Sequence, residues 1–502
     1  MKPPFAKLLI ANRGEIAVRV LRTCRDLGIK TVAVYSEVDR NSLHVRYADQ
    51  AFALGGKTPA ESYLRGDRII EIALQCGAEA VHPGFGFLAE NPGFAAAVAT
   101  AGMAFVGPPP KAMAVMGDKI QSRQEMVAAG VPVIPGMTEP CPDPAAAAGF
   151  AEQIGYPVML KASAGGGGKG IRVVRSAGKL EAAFRTASAE AEGAFGDGRM
   201  YVEKFLERPR HIEVQVLGDH RGRVIHLGER ECSIQRRHQK LIEETPSPVI
   251  DAATRAAMGA TAVAAAEAVG YYSAGTVEFL WSEGEYYFLE MNTRIQVEHA
   301  ITEEVYGVDI VEWMIRIAAG QELSLDQAVQ PRGHSVEVRI NAEDPELGFL
   351  PAVGKLRNLR MPSGPGVRID SALYRRMEVT PYYDSMLAKI IVHGSSRDQA
   401  IRRMQRALAE LNVGGVKTSA SIALEILGTE EFQSGVYDTG FLERWMAGGR
   451  PQREPYAREA AIIAALHRHH LARRRSIRRA GGGGLSPWVA QGRRTGWGGG
   501  GR

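Results

Sequence analysis

The stretch EMNTRIQVEH, from Glu290 to His299, is the most informative segment of this 502-residue chain. Its even positions are all polar, namely Glu290, Asn292, Arg294, Gln296 and Glu298. Successive side chains of an extended strand point to opposite faces, so all five would lie on one face. Two carboxylates, two amides and a guanidinium on one face indicate a site for a metal ion and a small anion. A solvated outer face of a half-buried strand is the alternative interpretation.

The segment just upstream, TVEFLWSEGEYYFLE from Thr276 to Glu290, predicts the other half of a β-hairpin. A three-residue loop, Glu283 to Glu285, would place Glu278 directly opposite Glu290. Like charges that face each other destabilise a ladder, so this pair needs a cation or a raised pKa. Mg²⁺ binds through one or two carboxylates and completes its coordination with water and substrate phosphates. We therefore predict a metal that arrives with a nucleotide, with the ligands Glu278, Glu290 and Asn292.

A glycine-rich loop lies between two apolar runs in PVMLKASAGGGGKGIRVV, Pro157 to Val174. Consecutive glycines let backbone amides approach phosphate oxygens, which predicts nucleotide contacts at Gly165, Gly166, Gly167 and Gly168. The β-branched residues that follow do not fit a dinucleotide fingerprint, which must open a helix, and Gly170 stands where a Walker A loop needs Ser or Thr. The flanking strands favour a lid over phosphates, and a flexible linker is the alternative.

The glycine lid and the Glu-x-Asn hairpin together resemble the ATP-grasp ligases. Six segments, in order along the chain, are similar to biotin carboxylase, the component of biotin-dependent carboxylases that uses ATP and bicarbonate. The resemblance runs from about Leu8 to about Trp445 and rests on HPGFGFLAEN, MGDK, KASAGGGGKG, ERECSIQRRHQK, EMNTRIQVEH and EVRINAEDP. Phe85 departs from the pattern, because the family commonly has Tyr there.

The sequence predicts an α/β and α+β protein in several units. Short β-rich runs alternate with helical stretches from Lys7 to about Gly107, which predicts a doubly wound parallel sheet. We place a Rossmann-like N-terminal domain at 1–116, an ATP-grasp region at 117–334 with its lid at about 132–203, and a C-terminal α+β domain at 335–448. An Arg/Gly-rich tail at 449–502 has the composition of a disordered segment.

The resemblance implies a nucleotide held between the lid and the central region. Lys119 and Lys161 would contact its phosphates, and the segment VEKFL would pair with the adenine edge. Beyond the glycines of the lid, the implied ATP contacts are Lys119, Lys161, Glu203, Lys204, Leu206, His211, Gln235, His238, Glu278 and Glu290. Outside the family context, each lysine reads as a solvated surface charge, and His211 in its amphipathic strand as a merely packed or exposed residue.

The resemblance also implies the residues that carry the chemistry. Bicarbonate would be held by Lys240, Arg294, Gln296 and the backbone amide of Val297. Glu298 would be the general base, and Arg339 would bind biotin and stabilise its enolate. The implied catalytic set is therefore Glu298, Arg294, Lys240 and Arg339, with Glu213 and Glu90 in minor roles.

The implied reaction is the ATP-dependent carboxylation of biotin through carboxyphosphate, the first half-reaction of bacterial-type acetyl-CoA carboxylase in fatty acid biosynthesis. ATP, two Mg²⁺ or Mn²⁺ ions and carrier-bound biotin would take part. The only Met-Lys pair, the biotinylation signature of the family, is Met1-Lys2. We therefore expect a separate biotin carboxyl carrier protein, carboxyltransferase subunits and a homodimer. Another bicarbonate-using ATP-grasp ligase, or the corresponding component of a pyruvate or other acyl-CoA carboxylase, is the alternative.

Composition and charge favour a cytoplasmic enzyme with no membrane partner. No apolar run approaches the ~20 residues of a membrane helix, and the N-terminus lacks a signal-peptide pattern. The four cysteines have no metal or redox spacing. The tail from Arg468 onward holds nine Arg and no acidic residue. Subtracting these charges from the total of +5 leaves about −4 for the rest, so nucleic acid is expected at most on the tail.

Overall fold

The computed structural model describes residues 3–137, 139–141, 143–162, 171–195, 198–237, 239–325, 330–448 and 462–470. The predicted phosphate contacts at Gly165 to Gly168 and the predicted ATP contact at His238 lie outside the described residues. So does most of the Arg/Gly-rich tail, of which residues 462–470 are described as helical. By internal contacts the chain divides into Met1–Leu442 and Glu443–Arg502.

The N-terminal region is the parallel sheet that the alternating pattern predicts. Its five strands run in the order β3-β2-β1-β4-β5, all parallel. They are β1 (Lys7–Ile10), β2 (Lys30–Tyr35), β3 (Gln50–Ala53), β4 (Ala80–His82) and β5 (Ala104–Phe105). The helices of this region are α1 (Gly14–Asp26), α2 (Leu43–Tyr47), α3 (Gly66–Cys76) and α4 (Pro92–Thr100).

Alternation along β1 divides the apolar core between the two faces of this sheet. Leu8 and Ile10 pack with α1 on one face, whereas Leu9 packs with Ile69 and Ile72 of α3 on the other. A sheet covered by helices on both faces is the doubly wound arrangement expected from the sequence.

A small second sheet follows two short helices, α5 (Pro110–Gly117) and α6 (Lys119–Ala128). Its three strands are antiparallel in the order β7-β6-β8. The region consists of α7 (Pro144–Ile154), β6 (Val158–Ala162), β7 (Ile171–Val174), α8 (Leu180–Phe195) and β8 (Met200–Lys204). Apolar residues of α7 and α8 pack on Val158 and Leu160 of β6, so this region has its own core.

The largest sheet has eight strands in the order β13-β12-β9-β10-β11-β14-β21-β19, and every pair in it is antiparallel. From the central region come β9 (Arg210–Gly218), β10 (Val224–Arg236), β11 (Gln239–Thr245), β12 (Ser273–Ser282) and β13 (Glu285–Asn292). The helices there are α9 (Ala252–Ala268), α10 (His299–Tyr306) and α11 (Ile310–Ala318). This sheet carries the polar site.

The remaining strands and helices complete this sheet and add short ribbons. The C-terminal region supplies β14 (His334–Asn341), β19 (Val367–Ser371) and β21 (Met386–Gly394) to the large sheet. Since β11 pairs with β14, the sheet continues across residue 334. The short strands are β15 (Glu343–Asp344), β16 (Leu350–Pro351), β17 (Gly354–Lys355), β18 (Asn358–Arg360), β20 (Glu378–Val379) and β22 (Asn412–Gly414). The helices are α12 (Arg397–Glu410), α13 (Ala420–Ile426), α14 (Glu430–Ser434) and α15 (Phe441–Ala447).

Within the described ranges, each helix is either too short or too polar to span a lipid bilayer.

Candidate active site

The predicted hairpin is present, but its loop is one residue shorter than predicted. Ser282 pairs with Glu285, so only Glu283 and Gly284 form the turn. Both have positive φ, 53° and 89°, as a two-residue type I′ turn requires. A register shift lies between the pairs Phe279–Phe288 and Glu278–Glu290, so β13 has one extra residue there, Leu289. This bulge restores the predicted pairing of Glu278 with Glu290.

The prediction that one strand continues through Glu298 is wrong. β13 ends at Asn292, and residues 293–298 form neither strand nor helix until α10 begins at His299. The chain leaves the sheet where the backbone amide of Thr293 donates to Glu90 Oε1 at 3.0 Å rather than to a neighbouring strand. The side chains of Gln296 and Glu298 still reach the polar face of the sheet through hydrogen bonds.

Three carboxylates surround Lys240, two of them on strands (Glu213 on β9 and Glu278 on β12) and one, Glu298, just before α10. On β9, Ile212 and Val214 pack into the apolar core beneath the sheet, so Glu213 points to the other face. The Nζ of Lys240 lies 2.5 Å from Glu213 Oε2, 2.7 Å from Glu298 Oε1 and 3.0 Å from Glu278 Oε1. Burial works to lower the pKa of Lys240, but these carboxylates outweigh it and hold that pKa well above its ordinary value. The ammonium is therefore charged at neutral pH.

Glu298 lies between two cations in a buried position. Its Oε1 accepts from Lys240, and its Oε2 accepts from Arg339 Nη2 at 2.9 Å. Burial alone would raise the pKa of Glu298, but Lys240, Arg339 and Arg230 lower it well below the ordinary value. The carboxylate is ionised at neutral pH and can accept a proton.

Arg339 links this base to a second buried acid. Its Nε donates to Glu243 Oε1 at 2.5 Å. Burial raises the pKa of Glu243 to about 7, with Glu298 adding to the rise and Arg339 opposing it. The guanidinium of Arg339 thus bridges an ionised carboxylate and one that titrates near neutrality.

The hairpin carboxylates fit a hard cation. Glu278 Oε1 accepts from Asn292 Nδ2 at 2.9 Å and from Gln296 Nε2 at 2.8 Å, while Oε2 lies 2.8 Å from His211 Nε2. Burial and the charge of Glu278 raise the pKa of the opposing Glu290. The pKa of Glu278 itself is lowered, because Lys240 and His211 outweigh its burial. A bound cation would relieve the repulsion that raises the pKa of Glu290, and oxygen donors suit Mg²⁺.

A cavity of about 500 Å³ opens beside the hairpin. That size is within the ~300–1,000 Å³ of ligand pockets. One part of its wall is apolar and includes Met116, Val133, Ile134, Phe288 and Met291. The polar part contains five of the residues predicted for nucleotide or metal, Lys119, Lys161, Glu203, Glu290 and Asn292.

Other predicted nucleotide residues lie away from this cavity. Lys204 donates its Nζ to the carbonyl oxygens of Gly155 and Tyr156, at 2.9 and 3.4 Å. His211 contacts Glu278 instead, because it lies on β9 beside that residue's strand. Leu206 and Gln235 are half-buried and do not line the cavity either. The adenine-side assignments therefore stay predictions.

Arg294 turns to the rim of the cavity and not toward Lys240. Its Nε lies 3.0 Å from Glu90 Oε2, and its Nη2 donates to Asn292 Oδ1 at 2.8 Å. Glu90 also accepts from the Thr293 amide, so this acid holds both residues that follow the strand. The predicted anion contact at Arg294 would require the guanidinium to exchange one of these partners.

Sequence reasoning missed Arg230, which is fully buried behind the site. It donates five hydrogen bonds of 2.5 to 3.0 Å, to Glu213, Gln215, Thr276, Gln296 and Thr302. The available signal was the charged run Glu229-Arg230-Glu231 inside a strand-like segment, all three of which are buried. Arg230 holds Gln296 and Glu213 in place, and Lys240 contacts the second oxygen of Glu213.

Three family profiles match the chain in sequence order. Residues 4–113 match "Biotin carboxylase, N-terminal domain", and residues 118–326 match "Carbamoyl-phosphate synthase L chain, ATP binding domain". Residues 337–444 match "Biotin carboxylase C-terminal domain".

Proteins of similar sequence align with most of the chain. A pyruvate carboxylase subunit of Methanothermobacter thermautotrophicus is 54% identical over 445 residues, covering 88% of this chain and 91% of the relative. Biotin carboxylase 1 of Bacillus subtilis is 51% identical over 442 residues, covering 88% and 98%. The Hydrogenobacter thermophilus 2-oxoglutarate carboxylase biotin carboxylase domain dimer, solved with MgADP, ADP and bicarbonate, is 49% identical with a TM-score of 0.79, covering 88% and 98%.

The fold and the site define an ATP-dependent ligase with the ATP-grasp fold. Within that class, the chain belongs to the biotin carboxylase family.

Proposed function

We propose that this chain carboxylates biotin with ATP and bicarbonate, through carboxyphosphate, on a separate carrier protein. The observation that carries the proposal is the buried Glu298 between Lys240 and Arg339, next to the Glu278–Glu290 hairpin. An ionised base between two cations suits an anionic substrate that must lose a proton. A carboxylate pair beside a ligand-sized cavity suits a metal-bound nucleotide.

Lys119 and Lys161 would bind the nucleotide phosphates, and the apolar wall of the cavity would receive the base. Glu278, Glu290 and Asn292 would hold Mg²⁺ or Mn²⁺, which would supply charge neutralisation at the phosphates. The amide oxygen of Asn292 accepts from Arg294 at 2.8 Å, and it would become free for the metal when Arg294 turns to bicarbonate. The number of ions, two in our proposal, follows the family resemblance.

Glu298 would take the proton of bicarbonate, while Lys240, Arg294, Gln296 and the Val297 amide would hold the anion. A carboxylate with so low a pKa is a weak base in water, but the same cations lower the pKa of bound bicarbonate too. The bicarbonate oxygen then forms a bond to the γ-phosphorus as the bond to ADP breaks, giving carboxyphosphate. The protein contributes orientation and charge stabilisation to this step.

Carboxyphosphate would divide into CO₂ and phosphate, and phosphate would take the proton from N1 of biotin. The resulting enolate would attack CO₂. Arg339 would stabilise the enolate through the positive charge of its guanidinium. The same guanidinium donates to Glu298. Arg339 would thus lie between the base of the first step and the acceptor of the second.

The partners follow from the relatives and from the resemblance. We propose a biotin carboxyl carrier protein and carboxyltransferase subunits as partners, since relatives are named as subunits of such enzymes. A homodimer is supported by the dimeric Hydrogenobacter domain. We place the enzyme in the cytoplasm.

The final acceptor is the open choice within this function. We propose acetyl-CoA carboxylase, with fatty acid biosynthesis as its role, and a pyruvate or 2-oxo acid carboxylase as the second candidate. The second is favoured by the 54% identity to the pyruvate carboxylase relative. The residues of the site would contact ATP, bicarbonate and biotin in either case, so the transferase partner would decide the acceptor.

Transfer of label from radiolabelled bicarbonate to free biotin tests the proposal. Purified protein with Mg·ATP should form labelled carboxybiotin, and omission of ATP should abolish it. Biotin that stays unlabelled while ATP is turned over would contradict the proposed acceptor. Reconstitution with carrier and each type of transferase would then choose between acetyl-CoA and pyruvate.

A further inference from the structure

Val297 lies between two peptide groups whose carbonyl oxygens are both held by buried side chains. The carbonyl oxygen of Gln296 lies 2.7 Å from Nδ1 of His299. Lys389 donates its Nζ to the carbonyl oxygen of Val297. Both side chains are fully buried and come from different elements, α10 and β21. They therefore fix two consecutive peptide groups in a segment without regular secondary structure.

The ring of His299 is neutral and donates through Nδ1. Burial lowers the pKa of His299 well below its ordinary value, and the neighbouring charges of Lys389 and Arg19 lower it further. A carbonyl oxygen can only accept, so the proton of the neutral ring must be on Nδ1. The other ring nitrogen, Nε2, is buried without a hydrogen-bond partner within the described part of the chain.

Lys389 is held charged beneath the segment. Burial works to lower its pKa, but Glu337, Glu15 and Asp370 outweigh burial and raise it. The Nζ lies 3.8 Å from Glu337 Oε2 and 3.9 Å from Asp370 Oδ2, beyond ordinary hydrogen-bond distance. Burial opposes the charge of Asp370, but Arg368 and Lys389 lower the pKa of Asp370, so this acid is the ionised neighbour of the ammonium. The hydrogen bond of Lys389 itself goes to Val297.

Peptide planarity transmits these two contacts to the substrate side. In a trans peptide the carbonyl and the N–H point in opposite directions, so holding the Gln296 oxygen sets the direction of the Val297 N–H. Holding the Val297 oxygen likewise sets the peptide plane that leads into Glu298. The donor and the base proposed for bicarbonate thus share one backbone support.

We propose that His299 and Lys389 are positioning residues for bicarbonate, which orient the Val297 amide and the Glu298 backbone toward the same anion. This inference rests on the proposed function, in which Val297 and Glu298 receive bicarbonate. Neither positioning residue touches a substrate. Their loss should weaken the use of bicarbonate selectively, because the cavity proposed for the nucleotide is lined by neither of them.

A matched pair of polar variants tests His299. The amide nitrogen of His299→Asn can take the place of Nδ1, whereas His299→Gln reaches toward the place of Nε2. In steady-state ADP release with biotin and Mg·ATP, His299→Gln should raise the KM for bicarbonate at least ~10-fold. The KM for ATP should change less than ~2-fold, and His299→Asn should retain most of the wild-type bicarbonate KM.

Lys389→Met should show the same selective rise in the bicarbonate KM. Arg13→Met is the control, because it removes a cation from the buried Asp39, 2.6 Å away, in the N-terminal region. It should lower the thermal midpoint without changing the bicarbonate KM. If Lys389→Met does not fold, the two His299 variants alone test the positioning role.

Three results would overturn the inference: an unchanged bicarbonate KM in folded His299→Gln, equal effects of Gln and Asn, or a parallel rise in the KM for ATP. The wild-type protein separates this inference from the function on which it rests. Wild-type ADP release that ignores bicarbonate and biotin would refute the proposed function. Wild-type activity with unaffected variants would refute only the positioning role.

Discussion

At the scale of single residues, the site is a set of buried charges that are each paired with an opposite charge. Lys240 meets three carboxylates, and Arg339 meets two. Removing one partner from such a set leaves an uncompensated buried charge, which costs roughly 3–5 kcal/mol. Isosteric variants that keep shape are therefore the informative ones.

Glu298→Gln should reduce kcat for bicarbonate-dependent ADP release by roughly 100- to 10,000-fold. The amide keeps the shape of the side chain and one hydrogen-bond acceptor, but it cannot take a proton. ATP affinity, measured by equilibrium binding, should stay within about 3-fold of wild type, because Glu298 does not line the cavity. Turnover close to wild type would show that another group is the base.

At the scale of elements, the hairpin shows what sequence reasoning could and could not supply. Alternation of apolar residues located both strands, and the repulsion of Glu278 and Glu290 pointed to a cation. The sequence did not reveal the shorter loop or the bulge. The loop is one residue shorter than predicted and the bulge adds one residue, so Glu278 still pairs with Glu290. The end of the strand at Asn292 was also missed, since it depends on Glu90, far away in sequence.

Glu290→Gln should raise the Mg²⁺ concentration for half-maximal activity at least about 10-fold. The substitution removes one anionic ligand and also the repulsion with Glu278, so the fold should be retained or stabilised. A Mg²⁺ titration of ADP release at fixed free ATP measures the effect. An unaltered Mg²⁺ requirement would exclude Glu290 as a ligand.

Glu283→Asn, at the turn of the same hairpin, tests the turn geometry separately from metal binding. Glu283 has a φ of 53°, where Asn is tolerated much better than Glu, so the variant should gain up to about 1 kcal/mol. Its thermal midpoint should rise while its Mg²⁺ requirement stays at the wild-type value. A lower midpoint would contradict the assigned turn geometry.

At the scale of the whole molecule, the large sheet joins the central and C-terminal regions through β11 and β14. Glu244 on β11 reinforces this junction: it is buried and bonds to His334, Arg397 and Tyr437. Burial opposes its charge, but the hydrogen bonds and charges of His334 and Arg397 lower the pKa of Glu244 to about 2. The ionised carboxylate therefore stabilises the folded state.

The sign of the resulting pH dependence follows from that lowered pKa. Stability contributed by Glu244, about 3 kcal/mol, should be complete above about pH 4.5 and be lost as the pH falls toward about 2. Glu244→Gln should be less stable than wild type at neutral pH, and the gap in thermal midpoint should narrow on acidification. A gap that stays constant between neutral and acidic pH would refute the linkage.

The secondary structure of the chain and the residue types of the site could be predicted from the sequence. Periodicity located the parallel sheet and the helices, and the family resemblance supplied most site residues. Contacts between distant segments could not be predicted this way: Arg339 reaches Glu298 across 41 residues, and Lys389 reaches Val297 across 92. Such pairs depend on strand order, which a single sequence does not display.

ADP release by the purified protein should be measured with and without free biotin, and with and without bicarbonate, to test the proposed function. The proposed function predicts strong stimulation by biotin that disappears when bicarbonate is removed. Bicarbonate-dependent ATP hydrolysis that is indifferent to biotin would contradict it and would assign the ATP-grasp site to another acceptor.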